Sequence, residues 1–131
     1  ANLKRCEAYA KNLVANNIVE LTNDGALRAF MQDSRAAQNC IFVDALFGTG
    51  LDRPVEGIAA GAIDAMNQSG APILSIDLPS GLDANTGQIL GTAVRADVTI
   101  TLIAKKAGFE LLHGPACTGR IVISGIGIPV N

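Results

Sequence analysis

Two acids stand where a reaction centre would need them. Asp44 falls near the end of the apolar run Ile41-Phe42-Val43-Asp44-Ala45-Leu46, just before Phe47-Gly48-Thr49-Gly50. Asp77 ends the run Pro72-Ile73-Leu74-Ser75-Ile76 and is followed by Leu78-Pro79-Ser80-Gly81. An acid closing an apolar strand costs desolvation energy unless a cation, a substrate hydroxyl or a proton satisfies it. The local alternative is that each carboxylate caps its following loop by accepting backbone N–H bonds. Neighbouring parallel strands lie about 4.8 Å apart. If these two strands are neighbours, both carboxylates look into one cleft.

The loops add their own chemistry. Gly48-Thr49-Gly50 can turn backbone N–H groups toward an anion, with Arg53 supplying charge; an ordinary tight turn explains the same three residues. Ser80 sits beside Asp77 but lies in no GxSxG elbow, and His113 is the single histidine, so nucleophilic hydrolysis is disfavoured. Next to Gly114-Pro115, His113 reads as a surface loop residue. Lys105 and Lys106 follow the run Val98 to Ala104 and could reach a substrate phosphate from a third strand end. A solvated pair at a helix start accounts for them equally well. Taken alone, these residues describe a binding cleft for a small anionic molecule.

The elements that position them follow from hydrophobic periodicity. Leu3, Cys6, Ala10, Leu13 and Val14 share one face of a helix over Asn2 to Asn16, and Ile18 to Leu21 reads as a short strand. Asp24-Gly25 leads into a helix near Ala26 to Gln32. Strands are expected at Ile41 to Leu46, Pro72 to Leu78, Val98 to Ile103 and Ile121 to Ile126, with helices at Gly57 to Gln68 and Lys106 to Leu112 between them. Strands apolar on both faces, alternating with helices, imply an α/β fold with a mostly parallel sheet between two helical layers. Gly81 to Gly91 is a loop within a single domain over residues 1–131. The order opens on a helix and holds no GxGxxG, unlike an α/β domain that begins with a phosphate-binding βα turn.

Composition excludes several classes. Of 131 residues, 49% are hydrophobic and the net charge is only −2, which argues against disorder. Lys and Arg number 10 against 12 acids, with no basic block and few aromatics, so no nucleic acid is expected as a partner. No apolar run reaches the roughly 18 residues of a spanning helix, and no signal peptide opens the chain, so no membrane is expected either. Cys6, Cys40 and Cys117 are widely spaced and odd in number; they read as thiols of a reducing cytoplasm rather than a disulfide or zinc framework.

As a set, the motifs say more than their spacing. Asp44-Ala45-Leu46-Phe47-Gly48-Thr49-Gly50-Leu51 with Arg53-Pro54, Ser75-Ile76-Asp77-Leu78-Pro79-Ser80-Gly81-Leu82-Asp83, Thr86-Gly87 and Gly91, Ala96-Asp97-Val98-Thr99-Ile100-Thr101 with Lys105, Lys106 and Gly108, and Gly125-Ile126-Gly127-Ile128-Pro129 occur in this order. Together they resemble the NAD(P)H-hydrate epimerase family, the YjeF N-terminal domain, from about Cys40 to Pro129. The resemblance implies a Rossmann-like α/β/α fold and an isomerase that interconverts the R and S forms of hydrated NADH or NADPH at C6 of the nicotinamide ring. It implies a potassium ion held by Asp44 and Ser80. It also implies a substrate-phosphate and ribose loop of Gly48, Thr49, Gly50, Leu51, Asp52, Arg53 and Pro54, with Asp77 as the substrate-contacting acid. As a general acid/base, Asp77 would need its pKa raised by burial or by a neighbouring acid such as Asp44. The implied partners are an ADP- or ATP-dependent NAD(P)H-hydrate dehydratase, in some proteins fused downstream, and a second copy in a homodimer.

One family signature, an Asn-Asn-Gly-Gly-Asp-Gly loop, is absent, and Asn16-Asn17 does not replace it. With the helix-first order, this leads to the expectation that the chain is the C-terminal portion of the full domain. The competing function is a non-catalytic nucleotide-binding or dimerisation scaffold of the same fold. A dehydrogenase on a Rossmann-like fold is disfavoured by the missing GxGxxG.

Overall fold

A computed structural model describes residues 20–32 and 40–127. The expected helix at Asn2 to Asn16, the first half of the expected strand at Ile18 to Leu21, and the end of the last motif lie outside those residues, and Glu20 and Leu21 are not in a strand. In chain order the elements are α1 (Asp24–Gln32), β1 (Phe42–Asp44), α2 (Gly57–Gln68), β2 (Ile73–Ile76), β3 (Val98–Leu102), a 3₁₀ turn (Ala107–Glu110), α3 (Gly114–Thr118) and β4 (Arg120–Ser124). The four strands form one sheet in the order β1-β2-β3-β4, every pair parallel. The fold is therefore α/β and Rossmann-like. No reversal of strand order occurs among the described strands.

The start of α1 has a local cause. The Asn23 side chain accepts the Ala26 N–H (2.9 Å) and starts α1 two residues earlier than periodicity alone suggests. Over α2, Ile63 and Met66 fall on one face and pack with Ile73, Val94 and Ala96, while Phe42 and Phe47 press against the same cluster. A second cluster of Leu78, Leu82, Ala93, Phe109 and Cys117 extends the cover toward Ile121 of β4.

The sheet departs from the expectation of two apolar faces. On the face covered by these clusters, Asp44, Ser75 and Thr99 are direct register neighbours across β1, β2 and β3, and all three are buried. The opposite face carries Val43, Leu74, Ile76, Val98, Ile100 and Leu102, half-buried or exposed, the apolar surface that a second helical layer covers in a three-layer fold.

The expected helix over Lys106 to Leu112 is only a 3₁₀ turn, Ala107–Glu110. Tertiary bonding interrupts it: the Gly108 N–H donates to the Ala84 carbonyl (2.7 Å), and the backbone of Asp83 to Gly87 packs too closely on Gly108 for a side chain. Pro115 then opens α3 in the first helical turn, which periodicity did not single out. His113 is exposed at the entry to α3, as expected of a surface residue. The Gly81 to Gly91 loop folds back inside the domain through an antiparallel bridge between Leu82 and Ile89.

Candidate functional site

β1 ends at Asp44, whose carboxylate is 1% exposed. Four donors reach it: the Ser75 hydroxyl at Oδ2 (2.8 Å), the Ser80 N–H at Oδ2 (2.8 Å), the Ser80 hydroxyl at Oδ1 (2.6 Å) and, longer, the Leu46 N–H at Oδ1 (3.4 Å). Ser80 Oγ also accepts the Phe47 N–H (2.9 Å) and lies 3.4 Å from the Phe47 carbonyl oxygen. One hydroxyl thus ties the carboxyl end of β1, the loop that follows it and the loop after β2 into a single knot. The ion pairs among the described residues are Lys105–Glu110 and Lys106–Asp77, so Asp44 is a buried carboxylate with no cationic side chain against it. A carboxylate, a hydroxyl and a carbonyl oxygen meeting at one buried point form a donor set suited to a hard cation. Ser75, which sequence reasoning did not single out, is the register partner of Asp44 and its third support. Its polar side chain in an otherwise apolar strand was the available signal.

Asp77 follows the last residue of β2 with φ +71°, a left-handed conformation uncommon outside glycine. The Leu102 N–H (3.1 Å) and the Lys106 ammonium (2.8 Å) both bond to its Oδ1. Burial pushes the Asp77 carboxyl up, but the Lys106 hydrogen bond, the Leu102 N–H and the Lys106 charge outweigh it and hold the group below the usual Asp value. The direction is opposite to the raised pKa that general acid/base work by Asp77 would need, so the group is held ready as a base rather than as an acid. The physical reason is the Lys106 ammonium in direct contact with the carboxylate.

The two acids end neighbouring strands, as anticipated, and among the described residues their carboxylates take different partners. Asp44 is turned inward to Ser75 and Ser80, whereas Asp77 is turned toward β3 and Lys106. Lys106 does not reach out for a phosphate. Its Nζ carries three N–H donors, and Asp77 Oδ1, the Leu102 carbonyl (3.2 Å) and the Ala104 carbonyl (3.4 Å) account for all of them. Lys105 is paired with Glu110 at the surface.

Residues 48–54 form an exposed turn over the end of the sheet, closed by Leu51 N–H to the Gly48 carbonyl (3.3 Å) and anchored by Leu51 against the α2 cluster. A cleft of about 310 Å³ runs along Phe47, Leu51, Arg53, Pro54, Val55 and Glu56, and another of about 290 Å³ along Leu46 to Arg53. Neither includes Asp77. A Cβ built on Gly48 or Gly50 meets nothing among the described residues, so packing leaves both free for a close approach by a ligand.

Comparison with known sequences adds the lineage of this arrangement. The sequence model of the YjeF-related protein N-terminus family matches residues 1–108. The chain belongs to this family. Among curated relatives of this YjeF-related chain, the bifunctional NAD(P)H-hydrate repair enzyme Nnr of Thermofilum pendens is 45% identical over 123 residues, 94% of this chain and 23% of that protein. The NAD(P)H-hydrate epimerase of Limosilactobacillus fermentum is 42% identical over 84 residues, 64% of this chain and 40% of that protein. The NAD(P)H-hydrate epimerase of Oenococcus oeni is 43% identical over 86 residues, 66% of this chain and 41% of that protein. The chain therefore spans less than half the length of these relatives. The family match includes Asp44, the 48–54 turn, Asp77, Ser80 and Lys106. It also reaches further toward the N-terminus than the motifs that first suggested it.

Proposed function

We propose that this chain belongs to an NAD(P)H-hydrate epimerase, an isomerase that inverts C6 of the hydrated nicotinamide ring in NADH or NADPH repair. The observation that carries the reading is the pair of strand-end carboxylates: one buried and tied to Ser80, the other held ionised at the carboxyl end of β2. Inversion at C6 balances as ring opening: as the hydroxyl loses its proton, C6–OH becomes a carbonyl and the C6–N1 bond breaks with its electron pair on N1, which then re-adds to the other face of that carbonyl. A proton leaves an oxygen on one side of that event and returns on the other. Asp77, kept as a carboxylate by Lys106 and the Leu102 N–H, is equipped to take the proton first and give it back on completion.

Asp44 Oδ1, Ser80 Oγ and the Phe47 carbonyl would hold potassium. The ion would neutralise a buried carboxylate and supply fixed positive charge near an anionic substrate. The 48–54 turn, with Arg53 and the open backbone at Gly48 and Gly50, suits the phosphate and ribose portion of the substrate. The names of the relatives support a place in nicotinamide-nucleotide repair. A dehydratase acting on one epimer is the natural partner, and the bifunctional relatives favour its fusion in some proteins. No helix among the described residues is long and apolar enough to cross a membrane.

The test is R/S exchange of hydrated NADPH by the native full-length protein, followed by chiral separation, in potassium and in sodium. Potassium-favoured exchange that Asp77→Asn reduces by two orders of magnitude or more, on the order expected for loss of a general base, supports the assignment. Full exchange by Asp77→Asn with the fold intact would remove Asp77 from it. No exchange by the intact wild type would favour a scaffold.

A further inference from the structure

We infer that Lys106 is a positioning residue for the reaction: its ammonium fixes one oxygen of Asp77 so that the other is presented to substrate. The inference rests on Asp77 being the reacting carboxylate, as proposed above.

The geometry is specific. Both hydrogen bonds to Asp77 fall on Oδ1, from Lys106 Nζ (2.8 Å) and the Leu102 N–H (3.1 Å). The one proton of the Thr101 hydroxyl is directed to the Ala104 carbonyl (3.2 Å). Oδ2 thus takes no hydrogen bond from the described residues. It is not sealed in the interior either, since no fully buried side-chain oxygen among the described residues lacks a partner. Lys106 cannot swing away from this duty without releasing three bonds at once, because the Leu102 and Ala104 carbonyls hold the same ammonium.

Backbone strain flanks the pair on both sides. Asp77 has φ +71° at the end of β2, and Ile103 has φ +66° at the end of β3. A β-branched residue in that region is an outlier that persists only where its surroundings impose it. The Ile103 turn brings the chain back over the end of β3, which is how a lysine four residues beyond Leu102 returns to the Leu102 carbonyl.

Few other charges bear on Asp77. From β1 comes Asp44, engaged with Ser75 and Ser80; from the segment after β3 come Lys105, engaged with Glu110, and Lys106 itself. The Lys106 contact is the one ion pair that Asp77 makes among the described residues. Removing it therefore changes both the aim and the proton affinity of one group.

The experiment compares wild type, Lys106→Met and Lys106→Arg in the native full-length protein. The Asp77 carboxyl is followed by ¹³C NMR through an acid titration, and R/S exchange of hydrated NADPH is followed across pH. In Lys106→Met the Asp77 midpoint is expected to rise by about one pH unit, equivalent to about tenfold in proton affinity. The acid limb of kcat should move up with it, kcat should fall at least tenfold on that limb, and KM should stay within about threefold. Lys106→Arg should restore most of the rate, because a second cation fills the same contact. An unchanged Asp77 midpoint overturns the inference. So does a loss that is uniform across pH and not relieved by arginine, which marks a structural lysine. Should the wild type show no exchange, the epimerase reading fails on its own account, and the carboxyl titration still decides whether Lys106 governs Asp77. If Lys106→Met does not fold, the Lys106→Arg midpoint and rate decide in its place.

Discussion

Ser80 bonds to Asp44 through both its N–H (2.8 Å) and its hydroxyl (2.6 Å), and the same oxygen receives the Phe47 N–H (2.9 Å). Ser80→Ala leaves the Phe47 N–H and one carboxylate oxygen short of a partner in a buried place. A cost of about 1–3 kcal/mol is expected, read as a lower urea midpoint at an unchanged slope. Asp77 makes a different prediction, in pH. Its folded pKa lies below the ordinary 3.8, so it contributes stability above that value and loses it as pH falls through the folded pKa. Asp77→Asn should therefore lower stability most at neutral pH, with the difference from wild type closing as pH falls below about 4 through the folded pKa, as urea unfolding across pH would read. Asp83, also held low by the Thr86 N–H and hydroxyl, keeps part of the acid slope in both proteins. The residue types at Asp44, Asp77 and Ser80 were legible in the sequence because acids and hydroxyls at strand ends are costly without a purpose. The orientation of each was not. Nothing in the spacing says that Asp77 turns to Lys106 and Asp44 to Ser75, because side-chain direction is set by register and by a left-handed backbone.

The strands and α2 were readable because each is a short run of one hydrophobic pattern; α2 spans Gly57–Gln68 as its periodicity implied. The segment after β3 was not, since what breaks its helix is a hydrogen bond to Ala84, far off in sequence. The polar row of Asp44, Ser75 and Thr99 was missed for a related reason. Serine and threonine are compatible with a buried strand once their hydroxyls find partners, as Thr99 does with the Thr118 carbonyl (2.7 Å). Glycines at this scale fall into two kinds, and a pair of substitutions separates them. Gly81 has φ +89°, and a Cβ there would overlap the backbone of Thr92 and Ala93. Gly81→Ala should cost at least about 2 kcal/mol, from strain and the close approach together. Gly48→Ala, exposed and with open space around it, should change stability by no more than about 0.5 kcal/mol. Its effect should instead appear as weaker binding of NADP, measured by titration calorimetry, since a methyl would stand where the ligand backbone is expected to approach.

For the molecule as a whole, a family match over residues 1–108 coexists with alignments that cover only 23% and 40% of two relatives, so ligand linkage is the property best able to tell an enzyme from a scaffold. A ligand that binds only the folded state stabilises it by RT ln(1 + [L]/Kd), about 2.7 kcal/mol at one hundred times Kd and several degrees in Tm for a domain of this size. NADP in potassium should therefore raise Tm with the logarithm of its concentration, and sodium should give a smaller rise at equal ionic strength. Asp44→Asn carries the decisive comparison. It removes the buried charge that a cation would neutralise while leaving the 48–54 turn and Arg53 in place. Measured against its own ligand-free Tm, it should keep the NADP-dependent rise and lose the difference between potassium and sodium. Equal shifts in the two salts for wild type would mean that the oxygens of Asp44, Ser80 and Phe47 serve only to tie β1 to the loop after β2. In that case Ser75 and Ser80 would be the whole answer to why a carboxylate is tolerated at 1% exposure.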